Sequence, residues 1–397
     1  LLARIHRYTL NRLRAEIEPV SAADYMRFLF SWQHVEASAR LTGVDGLREA
    51  IAALDGFELG AAAWERAVLP ARLDRYDPAM LDMLCLAGEV GWARLSTPRG
   101  AGEPPRLAPA TPIALFLREH VDAWRALRVR AVQETAPSDA WSPEHLTEDA
   151  RRVLSLLQSR GASFFDDIRS ASSLDRDAAR QAIGALVAAG LAASDGFSGL
   201  RALVLAAQGR HAWADRGAKF AGRWTAVERA ACTAQEAVEI QAWTLLRRYG
   251  VVFRRVLARE ALAAPWRELV RVYRRLEARG EVRGGRFVSG MSGEQFALPA
   301  AIPLMREVRR RPADGGLVAI STADPLNLVG IVTSGERVRA AGRNRLVYRD
   351  GVPIALREGD AVRELTPLDS ATAADVRTLL TRRQGLAPAV VPVHVRA

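Results

Sequence analysis

Residues 266–287 read WRELVRVYRRLEARGEVRGGRF, with seven arginines in twenty-two positions. Leu269, Val272, Tyr273 and Leu276 recur at helical spacing, so the first half is expected to be a helix that packs through one apolar stripe. At about 100° per residue, Arg267, Arg271, Arg274 and Arg275 project away from that stripe. Glu268 and Glu277 fall to the flanks, which leaves the basic face without the intrahelical pairing that usually offsets such charge. Gly280 suits the left-handed residue that ends a helix. EVRGGRF then reads as a strand, a Gly-Gly hairpin turn and a return strand, carrying Arg283 and Arg286. Helix followed by basic hairpin is the layout of a winged helix.

The surrounding chain makes this stretch stand out. Between residues 247 and 287 there are twelve arginines against four glutamates, a local +8 within a chain whose formal charge is +11. A concentrated positive patch favours a polyanionic partner. The 397 residues are too many for one core and predict several domains. Two cysteines far apart, Cys85 and Cys232, exclude a disulfide framework and a cysteine zinc site. They fit a reducing cytoplasm. No apolar run is long enough to span a bilayer, so no membrane partner is expected. The first residues have no secretory apolar core and no initiator Met, and the chain is expected to be part of a longer protein.

A pattern of Leu, three residues, Gly and a short apolar run occurs three times: LCLAGEV from Leu84, LVAAGLA from Leu186 and LEARGEV from Leu276. Each follows an amphipathic helix, which predicts a tandem array of one module. The expected class is α+β, with predominantly helical winged-helix modules followed by a small β-barrel-like domain. Residues 1–98 form a helical, winged-helix-like module and 99–142 a Pro/Gly-rich linker and helix. Residues 143–232 form a winged helix with connector, and LAASDGFSGLRALVL within it reads as two strands around an Asp195-Gly196 turn. Residues 233–311 are the basic winged helix, 312–366 the β-domain, and 367–397 a C-terminal helix and tail. Ser163 with Asp166 and Ser172 with Asp175 have the Ser-x-x-Asp spacing of helix starts, a structural explanation for the acidic pair Asp166-Asp167.

Enzymatic motifs are sparse. There is no Gly-x4-Gly-Lys loop, GMSGE is not a nucleophile elbow, and the six histidines lack metal-ligand spacing, so no metal site is expected. In ISTADPLNLVGI, Asp324 precedes Pro325 and is expected to be the N-cap of a short helix. Its alternative role is a catalytic carboxylate at the mouth of the β-domain, which needs a partner group.

The motifs RIHRYTLNRLRAEIEPV, LCLAGEVGWARLS, RRYGVVFRRVLARE, GRFVSGMSGEQFALP, ADPLNLVGIVTSGERV and NRLVYRDGVP resemble the C-terminal part of bacterial large helicase-related (Lhr) proteins, over nearly the whole chain. The resemblance implies an ATP-dependent superfamily 2 DNA helicase acting in DNA repair. ATP and Mg would serve its N-terminal motor, and winged helices with a β-barrel would form its C-terminal half. Only the second part is matched, so no motor residue is carried over and this segment alone is not expected to hydrolyse ATP. The same region is similar, more distantly, to winged-helix DNA glycosylases that depend on a Gln-x-Gln or related polar motif, which has no convincing match here.

The expected function is an accessory DNA-binding, possible oligomerising region of a nucleoid-associated helicase, acting on single-stranded or tailed duplex DNA. Arg267, Arg271, Arg274, Arg275, Arg283 and Arg286 are the expected contacts, with Arg176, Arg180 and Gln181 as weaker equivalents in the middle module. The alternatives are a glycosylase for uracil or damaged bases and a winged-helix protein-interaction scaffold.

Overall fold

One chain path occurs three times in the computed structural model, which describes residues 17–98, 103–134, 142–209, 222–227 and 231–381. The motif before residue 17, part of the Pro/Gly-rich stretch and the tail after 381 lie outside these. Helix α1 (Ala22–Trp32) precedes the first copy, which runs through α2 (Gly43–Ala53), β1 (Glu58–Gly60), a short helical run Ala61–Ala63 and Trp64–Val68, α3 (Pro78–Leu86), β2 (Val90–Ala93) and β3 (Pro112–Leu117). After α4 (Val121–Glu134) the second copy follows: α5 (Glu148–Arg160), β4 (Ser163–Phe164), α6 (Phe165–Ser172), α7 (Arg176–Ala189), β5 (Ala192–Ser194), α8 (Phe197–Ala206) and β6 (Arg223–Ala226). The third comprises α9 (Ala234–Tyr249), β7 (Val251–Phe253), a 3-10 segment Arg254–Arg259, α10 (Trp266–Ala278), β8 (Arg283–Gly285) and β9 (Gln295–Ala297). Each copy closes a three-stranded antiparallel sheet in the same order: β1-β3-β2, β4-β6-β5 and β7-β9-β8.

The Leu-x3-Gly repeats are the hinge of this shared path. In each copy the residue after Gly donates to the Leu carbonyl: Glu89 to Leu84 at 3.1 Å, Leu191 to Leu186 at 2.8 Å and Glu281 to Leu276 at 3.0 Å. Gly88, Gly190 and Gly280 each donate to the carbonyl one residue further on, and all three have positive φ. This is the Schellman arrangement, in which left-handed Gly lets two backbone donors reach back and satisfy the last carbonyls of the helix. The three leucines are buried beneath it.

Three expectations are corrected by these elements. The assigned linker contains β3, the central strand of the first sheet, because its residues Ile113 to Leu117 are all buried. The residues after Gly196 form α8 rather than a return strand, since Phe197, Leu200, Leu203 and Val204 bury one helical face; β6 completes that sheet instead. The Ser-x-x-Asp pairs do not cap: Phe164 and Asp175 occupy the N-cap positions, Asp175 accepts from Ala178 N–H at 2.8 Å, and the Ser172 hydroxyl donates to the Ile168 carbonyl.

Beyond α11 (Ala301–Arg310), strands β10 (Leu317–Ser321), β11 (Arg345–Arg349), β12 (Val352–Glu358) and β13 (Ala361–Glu364) form a four-stranded antiparallel meander in chain order. It is an open sheet among the described residues, not a closed barrel. Helix α12 (Ser370–Thr381) covers one face through Val376, Leu379 and Leu380, packed on Leu317, Val347 and Ile354. Arg345 and Arg357 donate to the Leu379 and Leu380 carbonyls and so cap the end of α12 with positive charge.

The residues divide into two compact units. The paired unit (Gly43–Glu65 and Tyr76–Ile240) holds most of the first two copies, joined where Trp92 meets Trp224 and Phe197 edge to face and donates to the Gly196 carbonyl at 3.1 Å. The terminal unit, from segments Leu1–Thr42, Arg66–Arg75 and Gln241–Ala397, holds most of the last winged helix and the meander. No described helix is long and apolar enough to cross a membrane.

Candidate nucleic-acid interface

Helix α10 carries the clearest division of charge from core. Leu269, Val272, Tyr273 and Leu276 are buried, and Tyr273 stacks on Phe296 at 5.1 Å while its hydroxyl donates to the Ala242 carbonyl at 3.1 Å. With that face fixed, Arg267, Arg271, Arg274 and Arg275 are all exposed. Arg274 is neutralised by Glu294 from the loop between β8 and β9, at 2.8 Å. Arg275 also has a partner in the chain. The side chains of Arg267 and Arg271 make no hydrogen bond or ion pair among the described residues, and the same holds for exposed Arg283 and Arg286.

The wing differs from the expected tight hairpin. Gly284 and Gly285 lie in β8 itself, neither has positive φ, and the return strand is β9, nine residues beyond Arg286. At Gly285 a Cβ would meet the end of the Ile17 side chain, which would have to move aside. The longer wing is held from inside by Gln295. Its carbonyl oxygen accepts from Phe287 N–H at 2.9 Å and Val288 N–H at 2.8 Å, and its amide donates to the Val288 carbonyl at 2.9 Å. Glu277, expected on the flank of the basic face, is buried and accepts from Gly284 N–H at 3.1 Å. No local motif marks Gln295 or Glu294, because their importance comes from loop closure.

The middle module presents no equivalent face. Every residue of α7 from Ala182 to Ala189 is buried, so this part of the helix is core on all sides. Arg180 is only 6 % exposed and pairs with Asp177 at 3.2 Å. Arg176 and Gln181 are exposed, and Arg176 has a partner within the chain.

Asp324 is not at an open mouth. It is 1 % exposed, and its two oxygens accept from Arg72 at 2.7 and 3.0 Å. The same Arg72 donates to Gln33 at 2.7 Å, while Arg259 donates to the carbonyls of Thr322, Ala323 and Asp324. No helix follows within residues 322–332, and Asp324 accepts from Leu326 N–H two residues on, as in an Asx turn. A carboxylate enclosed and bonded in this way forms a buried ion pair with almost no solvent exposure.

The chain matches family models for two winged-helix domains of large helicase-related proteins, the third over residues 20–117 and the fourth over residues 231–317. It is 29% identical over 359 residues to a Mycolicibacterium smegmatis protein described as "Lhr helicase/ probable uracil glycosylase", covering 83% of this chain and 22% of that one. It is 28% identical over 371 residues to the Escherichia coli K12 "Lhr helicase/uracil glycosylase", covering 82% and 23%. The chain therefore spans less than a quarter of the length of these relatives. The solved structure of Streptomyces sahachiroi DNA glycosylase AlkZ superposes with a TM-score of 0.55 over 94% of this chain and 99% of that one, at 13% identity, a likeness of fold alone. The repeated winged-helix path and the two matched domains make the chain similar to the winged-helix region of large helicase-related (Lhr) proteins.

Proposed function

We propose that this segment is an accessory DNA-binding region of an Lhr-type helicase, and that α10 and the wing of the last module contact the strand. The observation that carries this reading is the open guanidinium pair Arg267 and Arg271 on a helix whose opposite face is fully buried. Arg283 and Arg286 extend the same charge along the wing. Arginines without internal partners release counterions from DNA when they meet phosphates, so affinity falls steeply with salt. DNA affinity measured against salt for the chain and for Arg267→Ala/Arg271→Ala tests this: the slope of log K against log[salt] should flatten by about 0.9 for each phosphate that is no longer neutralised. An unchanged slope rejects the assignment. In the whole protein this region would work beside an ATP- and Mg-dependent motor in DNA repair, in the cytoplasm with the nucleoid, and assembly into a homo-oligomer belongs to the same proposal.

The names of the two relatives favour a second activity, removal of uracil from DNA. Asp324 is unsuited to it because Arg72 and burial hold its carboxylate. Release of uracil from uracil-containing DNA without ATP, leaving abasic sites and retained in Asp324→Asn, would support a glycosylase with another active residue. No release by protein that binds this DNA would leave the accessory role.

A further inference from the structure

The paired unit contains a cavity of about 200 Å³ whose lining includes Arg94, Arg118, Arg125, Arg128 and Arg223, with Asp195 as the one carboxylate among the lining residues. All of these belong to residues outside α10 and its wing. Arg94 and Arg128 reach the end of α7: Arg94 donates to the Ala188 carbonyl, and Arg128 to those of Ala189 and Gly190. These bonds satisfy helix-terminal carbonyls and hold both guanidiniums in place. Burial pushes the pKa of each down, opposed by the carboxylate of Glu58, so both positive charges are kept under a desolvation cost.

Donors remain for a ligand. A guanidinium has about five N–H groups; Arg94 uses three, on the carbonyls of Ser96, Ala188 and Thr97. Arg128 has two such bonds. Arg118 is exposed, and its side chain makes no hydrogen bond or ion pair among the described residues. Among the described residues Arg125 pairs with Asp122, at 3.3 Å, and Arg223 with Asp195, at 3.0 Å. Even with Asp122 and Glu58 counted beside Asp195, the arginines outnumber the carboxylates. A ligand with several anionic oxygens suits planar forks arriving from different elements.

We propose that this cavity binds a dianionic phosphate monoester, as the phosphorylated end of a DNA strand or as a free phosphate ester. A phosphate within a continuous strand would need both flanking nucleotides to enter the recess, whereas a monoester brings one substituent. Recognition is by charge and fork geometry, and the rest of the ligand lies outside the arginine cluster.

The test uses the full chain and calorimetric titration with three probes: a short single-stranded oligonucleotide with a 5′-phosphate, its 5′-hydroxyl twin, and thymidine 5′-monophosphate. The phosphorylated strand should bind on the order of tenfold more tightly than its twin. Arg118→Ala and Arg118→Glu should abolish that preference and leave the twin's affinity unchanged. The Arg118 side chain is exposed and bonds to none of the described residues, so both variants should melt at the parent temperature. If the two strands bind alike but the mononucleotide binds saturably, and does so less in the variants, the ligand is the free ester. Equal strands together with no saturable mononucleotide binding overturn the proposal, as does a preference untouched by both variants. Arg267→Ala/Arg271→Ala should weaken both strands equally and keep their ratio, which separates this site from the α10 interface.

Discussion

Asp324 and Arg72, 252 residues apart in the chain, form a two-bond ion pair with almost no solvent exposure. It ties the stretch after β10 to the segment that follows the short helical run of the first copy. Gln33 and Arg259 complete the polar cluster around it. Its consequence is structural, and a removal experiment shows this. Asp324→Ala leaves a guanidinium buried without its counter-charge and should cost about 3–5 kcal/mol, read by urea denaturation. Arg72→Met/Asp324→Leu should cost less than either single change, because it removes both desolvated charges together.

Glu294 limits the charge that α10 presents. Glu294→Gln releases Arg274 from its ion pair at 2.8 Å. DNA affinity should rise and the salt slope steepen by about 0.9. Stability should change by less than about 1 kcal/mol, because the pair is partly exposed.

Gln295 holds the wing through the Phe287 and Val288 backbone. Gln295→Ala orphans two buried N–H groups and should cost about 2 kcal/mol or more. Hydrogen exchange should speed up at Phe287 and Val288 before the core of α10 is affected. Equal acceleration throughout the module would show that the wing has no independent clamp.

Of the three Schellman glycines, Gly190 should be costlier to replace than Gly88 or Gly280. A Cβ at Gly280 meets nothing within 4 Å, so Gly280→Ala should cost only the left-handed strain of about 1–2 kcal/mol. At Gly190 it would also lie 2.7 Å from the Arg128 guanidinium and 2.8 Å from the Arg94 carbonyl oxygen. Gly190→Ala should therefore lower the melting temperature further than Gly280→Ala does.

Burial pushes the Cys85 thiol up to about 12, so almost no thiolate exists near neutral pH. Cys232 is also raised, first by burial and then by Asp122 and Glu236, but it is only partly buried. Iodoacetamide at about pH 8 should label Cys232 slowly and Cys85 hardly at all in the folded protein. Denaturation should equalise the rates. Mass spectrometry of tryptic peptides reads both.

The sequence by itself determined the features written within a single helix or turn. The stripe Leu269, Val272, Tyr273 and Leu276 dictates one buried face, and with it the exposure of Arg267 and Arg271. The three Leu-x3-Gly motifs mark the same helix ending because a left-handed residue is a local demand that Gly meets without steric cost. The tertiary structure decided what depends on residues brought together from afar. Phe197 to Ala206 became a helix, with β6 supplying the missing strand. Arg180 disappeared into a core helix, Glu294 arrived opposite Arg274, and Asp324 met Arg72. Periodicity and backbone dihedral preference act over a few residues, whereas desolvation and ion pairing depend on which groups share a volume, and only the packed chain fixes that.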